Sequence, residues 1–312
     1  MESFDDPEIY RGVLDSVDAG IYLVDCDRRI LFWNAGAERI TGYLRQDMLG
    51  RSCKDDFLGH VDSRHAEITG DATPLAIVLR EGRSIKGEIS LRHKSGHRVL
   101  VRLRAAPLRG SNGKVIGAVE SFQEIIPVAD WNRRHDKLAE YGCLDSASGL
   151  LNHGMVESHL REMLATFAEH PIPFSILCLG IDQLDQMKTH HGPGALALVL
   201  RAVGQTLENC LRPTDFIGRW KENEFLAILS ECNGNEVPSV GDRLGKMVHQ
   251  SRIEWWGDML SVTISMGAAD AQSGDTVQKM IQRAEYGLRQ SIANGGNQLT
   301  RSSKLPDQGS GS

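Results

Sequence analysis

The sequence predicts two successive domains that mix helices and strands: an α+β domain built on an antiparallel five-strand sheet with helices, then an α/β domain, joined by a helical linker. Three observations carry this reading. Short alternating apolar segments, separated by Gly, Asn and Ser turns, fill residues 20–124. After residue 145, apolar strands instead alternate with amphipathic helical stretches. Between them, Val128, Trp131, His135 and Leu138 follow Pro127 at 3-4-3 spacing, the pattern of a short amphipathic helix able to pack on its own domain or pair with a second copy.

Taken in order, Ile21-Tyr22-Leu23-Val24 and Arg29-Ile30-Leu31-Phe32-Trp33-Asn34 flank a turn at Asp25-Cys26-Asp27 and read as a hairpin. A helical interval follows. Alternation returns at residues 85–91, 98–103 and 115–122, with turn signals at Lys94-Ser95-Gly96 and Gly110-Ser111-Asn112-Gly113, so a three-strand meander is expected. In the second half a helix is expected from about Met155, a strand at Phe174-Ser175-Ile176-Leu177-Cys178-Leu179-Gly180-Ile181-Asp182, and a helix over 194–210. A hairpin centred on residues 220–224, a helix near 238–250, a strand at Val262-Thr263-Ile264-Ser265-Met266-Gly267 and a last helix over 276–293 complete the pattern.

Composition narrows the function classes. At 312 residues there is length for two cores. Forty-one acidic against 35 basic residues gives a net charge of −6 with no basic block, which argues against a nucleic-acid partner. No apolar run reaches bilayer length, and Met1-Glu2-Ser3-Phe4-Asp5-Asp6 has neither the basic nor the apolar region of a leader, so a cytoplasmic protein without a membrane anchor is expected. Six scattered cysteines without a C-x-x-C pair are expected to be reduced and packed as small apolar residues.

Two family resemblances organise these segments. Gly20-Ile21-Tyr22-Leu23-Val24-Asp25, Phe32-Trp33-Asn34-Ala35-Gly36-Ala37-Glu38 and Lys94-Ser95-Gly96-His97, in this strand order, resemble a PAS sensor domain over residues 7–125. Asp145-Ser146-Ala147-Ser148-Gly149-Leu150-Leu151-Asn152-His153, the strand at 262–267 and the hairpin Lys221-Glu222-Asn223-Glu224-Phe225 resemble the GGDEF (diguanylate cyclase) family over 145–299. The second resemblance implies a nucleotidyl-cyclase palm with a mixed five-strand sheet. Residues 126–144 then form the helical linker, and residues 300–312 read as a disordered tail. In proteins of this architecture such a linker joins sensor to output, which implies a homodimer through the PAS domain and the linker helix.

The catalytic positions that the resemblance implies are rewritten. Cyclases hold Mg²⁺ with carboxylates, because hard cations demand oxygen ligands. The first metal aspartate falls on Gly180 and the acidic third position of the signature on Asn223, leaving Glu224 as the one match; Asp182 lies two residues beyond Gly180 and is a poor stand-in. The paired glycines that admit phosphates to the backbone are Lys221 and Glu222. The guanine-recognising Asn and Asp fall on Lys188 and Ala197, and the phosphate-gripping Lys and Arg on Ile292 and Gly296. No catalytic residue and no metal ligand are therefore assigned, and no cofactor is certain.

Arg212 and Asp215, by contrast, match the family's Arg-x-x-Asp inhibitory site for cyclic di-GMP. A guanidinium can bond a phosphate or a guanine edge while a carboxylate accepts from guanine N1 and N2. Arg243 is a candidate second arginine. The same pair also reads as a solvated cap at a helix terminus. The remaining signals are weaker. His60 and His65 are expected on polar surface, Cys53 with His60 makes half of a metal site, His190 and His191 are expected in a loop, and Trp33 and Asn34 in the PAS interior.

Three functions stay open on what these resemblances imply. The chain is read first as a non-catalytic signalling protein with cyclic di-GMP as its ligand and an unknown PAS ligand and downstream partner. The alternatives are a divergent cyclase ligating metal through Asp182 and Glu224, and a pure protein-interaction adaptor. A haem or flavin in the PAS domain is compatible with any of them.

Overall fold

The computed structural model describes residues 7–125 and 137–302, and the chain falls into two compact units on either side of residue 128. The linker positions Val128, Trp131 and His135 lie outside the described residues.

The first unit opens with helix α1 (Pro7–Ser16), then strands β1 (Gly20–Asp25) and β2 (Ile30–Trp33), helices α2 (Ala35–Thr41), α3 (Arg45–Met48) and α4 (Pro74–Glu81), and strands β3 (Ile85–Arg92), β4 (Arg98–Arg109) and β5 (Val115–Glu124). The five strands pair antiparallel in the order β2-β1-β5-β4-β3. Alternation along β1 sends Tyr22 and Val24 inward, where they meet Trp33, Leu91, Leu103 and Phe122 in one apolar cluster. Trp33 and Asn34 are both fully buried.

Asn34 shows how the polar interior is satisfied. Its Oδ1 caps α2 by accepting from Ala37 N (2.8 Å) and also accepts from Ile21 N (2.7 Å), while its Nδ2 donates to the carbonyls of Leu14 (2.7 Å) and Ala19 (2.9 Å). One buried amide thus ties α1, β1 and α2 together with all its bonding capacity used.

The second unit contains α5 (His153–Glu169), β6 (Ser175–Ile181), α6 (Leu184–Asn209), β7 (Phe216–Lys221), β8 (Glu224–Leu229), α7 (Val237–His249), β9 (Ile253–Trp255), β10 (Asp258–Leu260), β11 (Ile264–Asp270), α8 (Val277–Ala293) and β12 (Leu299–Arg301). The main sheet runs β12-β11-β6-β8-β7, with β12 parallel to β11 and the other neighbours antiparallel. Central β6 is buried at every position, as its unbroken apolar run requires. On one face Cys178, Leu226 and Ile228 pack with Val156 and Leu160 of α5 and Met280, Ala284 and Leu288 of α8.

Three expectations need correction. Helix α6 starts at Leu184 rather than 194 and is broken at Gly192 (φ 79°, ψ 178°), where Pro193 opens its second segment. His190 and His191 therefore sit on helix, not loop, and His190 Nδ1 lies 2.7 Å from the Gln186 carbonyl one turn back. The chain also stays ordered past residue 299, because Thr300 and Arg301 pair with Gly267 and Ala268 in β12; residues 303–312 lie outside the described set. The separate β9–β10 hairpin was not visible in the sequence pattern, since each strand is only three residues long.

Candidate functional site

The signature hairpin joins β7 to β8 through Glu222 and Asn223. Two-residue hairpin turns ordinarily place at least one residue at positive φ, which favours Gly or Asn. Neither Glu222 nor Asn223 has positive φ. The register instead shifts between Arg219 and Lys221, so a bulge at Trp220 absorbs the irregularity and the turn closes without glycine.

That turn brings the Lys221 ammonium to the cross-strand Glu224 carboxylate (3.2 Å) and to Glu285 Oε1 on α8 (2.6 Å). Partial burial works against the charge on Lys221, but Glu285 and Glu224 outweigh it and hold its pKa above the ordinary lysine range. Trp220 Nε1 also donates to Glu285 (3.4 Å), and His153 stacks on the Trp220 ring with Nδ1 2.8 Å from its carbonyl. The hairpin is thus fastened to α8 and to the start of α5. Sequence reasoning missed Glu285; its acidic position in the last helix was the available signal.

Gly180 is the cross-strand neighbour of Glu224 in the centre of the sheet, between Glu224 and Ser265. A Cβ there would meet Leu288 at 3.6 Å, ordinary contact, so space is not what excludes a carboxylate. Asp182 does not replace it. Its carboxylate accepts from the hydroxyls of Thr263 (2.6 Å) and Ser265 (2.6 Å) and from the backbone of Asn297 (3.0 Å). Asp182 thereby anchors the turn after α8, in which Gly296 takes φ 76° against the same carboxylate.

The metal that the family resemblance implies therefore does not fit these residues. One ligand position has no side chain, the surviving carboxylate already has a lysine ammonium against it, and the nearby aspartate is committed to three donors. Lys188 and Ala197 are exposed on the two segments of α6 on either side of the Gly192 break, and Ile292 is exposed on α8.

Arg212 and Asp215 occupy the turn between α6 and β7. Asp215 accepts backbone N–H bonds from Arg212 (2.9 Å) and Ser230 (3.0 Å), one on each oxygen. Burial raises its pKa despite those bonds and despite the charges of Arg212 and Arg243, which both act to lower it. Arg212 and Asp215 thus share one turn, and Arg243 of α7 lies within electrostatic reach of Asp215. The Arg212 side chain is exposed, while Arg243 Nε is buried without a hydrogen-bond partner. Two clefts of about 470 and 460 Å³ lie elsewhere, one against Trp220 and Glu285, the other against Gln186, His190, His191 and His249.

In the first unit the expectation for His60 is overturned. It is 6% exposed, with Nδ1 2.9 Å from Asp56 Oδ1 and Nε2 3.5 Å from Glu120 Oε1. Glu120, fully buried on β5, also accepts from the Tyr22 hydroxyl (2.8 Å), and its Oε2 has no hydrogen-bond partner. Burial works to remove the His60 proton, yet the bonds to Asp56 and Glu120 prevail and push its pKa up to about 9. Desolvation drives the nearby Cys53 thiol up to about 12, which leaves it protonated and unreactive at neutral pH. Among the described residues no group of three His, Cys, Asp or Glu side chains could hold a metal ion.

Comparison with known proteins agrees with this architecture. Residues 18–125 match the PAS domain family, and residues 143–298 match the family described as diguanylate cyclase, GGDEF domain. The chain belongs to the GGDEF family and carries an N-terminal PAS domain. It is 23% identical over 268 residues to the probable diguanylate cyclase DgcE of Escherichia coli (strain K12), covering 85% of this chain and 23% of that one. Diguanylate cyclase A of Treponema denticola is 29% identical over 129 residues, 41% of this chain and 35% of its own length. The chain thus spans about a quarter to a third of these curated relatives. Among solved structures, the diguanylate cyclase SiaD of Pseudomonas aeruginosa, crystallised in complex with its activator SiaC, superposes with a TM-score of 0.51 at 25% identity, covering 56% of this chain and 68% of that one. No helix among the described residues is long and apolar enough to cross a membrane.

Proposed function

We propose that this is a signal-transduction protein in which the PAS domain receives a cue and the GGDEF domain, without turning over GTP, binds cyclic di-GMP through Arg212, Asp215 and Arg243. The observation that carries the receptor reading is that Asp215, in the turn after α6, lies within electrostatic reach of both the exposed Arg212 of that turn and Arg243 of α7. There an exposed guanidinium, a second one with an unbonded Nε and a carboxylate can share a phosphate and a guanine edge. Loss of catalysis is supported by Gly180, by the pairing of Glu224 with Lys221, and by the engagement of Asp182 with Thr263, Ser265 and Asn297, which also weighs against a divergent cyclase. On this reading the protein works in the cytoplasm as a homodimer through its PAS domain and linker helix.

Calorimetric titration of cyclic di-GMP into the protein without Mg²⁺ tests the reading. Micromolar binding that weakens at least about tenfold in Arg212→Ala, the loss expected for a charge-assisted phosphate contact, would support it. No binding to the unaltered protein would sink the receptor reading and leave a protein-interaction module.

A further inference from the structure

The misfit at the carboxylate site has a positive counterpart in Lys221. We propose that Lys221 is a permanent internal counter-cation for the carboxylate site, taking the electrostatic place of a divalent metal and holding the signature hairpin on α8 with no metal at all. This is independent of whether Arg212 and Asp215 bind a nucleotide.

Two carboxylates on separate elements, Glu224 on β8 and Glu285 on α8, have their charge drawn to one point by a single ammonium at 3.2 and 2.6 Å. An ammonium has one charge and three donors, where a divalent ion has two charges and requires about six oxygen ligands. A pair of carboxylates with no third acidic ligand suits the former. Gly180 removes the ligand that would demand the latter, so the loss at 180 and the lysine at 221 compensate one another within one cross-strand neighbourhood.

The bulge at Trp220 completes the device. It allows a glycine-free turn, and the turn in turn sets Lys221 opposite Glu224, while Trp220 Nε1 adds a second bond to Glu285. Arg219 stacks over Phe225, with its guanidinium 5.3 Å from the ring centre, and donates from Nε to the Lys221 carbonyl (2.8 Å), which fixes the lysine backbone. Hairpin closure is thereby supplied by the chain's own side chains and is independent of divalent-ion concentration.

Hydrogen exchange of peptides covering residues 216–229, measured on the full chain in EDTA and in millimolar Mg²⁺, tests this. The unaltered protein is expected to exchange identically in both. Lys221→Met is expected to speed exchange of the hairpin by about fivefold, the scale of losing a partly exposed ion pair. Glu285→Gln, which leaves the Lys221–Glu224 pair in place, is expected to speed it by a smaller factor, and the double variant to match Lys221→Met, because the Lys221–Glu285 pair is lost in both. Slowing of hairpin exchange by Mg²⁺ in the unaltered protein, or unchanged exchange in both single variants, would overturn the proposal.

Discussion

Each domain places a cationic side chain between two carboxylates, and the two clusters differ in how deeply they lie. In the PAS domain, His60 sits between Asp56 and Glu120 with almost no solvent access. In the GGDEF domain, Lys221 sits between Glu224 and Glu285 with half of its side chain exposed. Distances are similar, but water screens the second cluster and not the first, so the same arrangement should matter energetically in one and mainly geometrically in the other. The buried cluster also uses a residue whose ordinary pKa lies near neutrality and which its two carboxylates push up to about 9, whereas the exposed one uses a cation with a far higher ordinary pKa.

The sharpest way to break this contrast is to remove the buried cation. His60→Leu leaves Glu120 buried beside Tyr22 without its cationic partner, and losing one partner of a buried ionic group costs about 3–5 kcal/mol. Urea denaturation followed by a probe in residues 7–125 should show that loss in the first unit and leave the second unit's transition in place. A change under about 1 kcal/mol would mean that His60 behaves as an exposed residue does.

Neither cluster was legible in the sequence, for a shared reason. His60 meets Glu120 across 60 positions and Lys221 meets Glu285 across 64, and nothing in local pattern links residues so far apart. His60 even read as surface, because a histidine in a polar, turn-rich stretch carries no sign that a loop will fold it under β5. Periodicity, a local property, did reveal central β6 and the five-strand first sheet. The hairpin was found from its residues, but that a bulge at Trp220 would replace the glycines required coordinates. The helix break failed in the opposite way: His190 and His191 read as a loop ahead of a helix over 194–210, whereas helix exists on both sides of Gly192.

Stability of the first unit should follow the charge on His60. The His60 pKa is raised in the folded state to about 9 from an unfolded value near 6.5, so its contribution is fully present below about pH 6.5 and is lost as pH rises through about 9. Over that interval the first unit should lose about 2–3 kcal/mol, with His60→Gln flattening the slope. The unfolding free energy of residues 7–125, measured at pH 6.5, 7.5 and 9, reads this directly. A first unit whose stability is level across the range would place His60 outside the ionic cluster.

The smallest effect is expected at Lys221. Its pair is half-exposed, so Lys221→Met should change the second unit's stability by under about 1 kcal/mol, and what loss there is should shrink further as salt is raised. The buried histidine cluster should be far less salt-sensitive, because ions cannot reach it. Denaturation of both variants at low and high salt therefore separates the two cases in one experiment. A Lys221→Met loss as large as that of His60→Leu, and equally indifferent to salt, would mean that the hairpin is packed more tightly on α8 than the exposure of the lysine indicates. The ammonium would then have to be counted as part of the core of the GGDEF domain, not as a clasp on its surface.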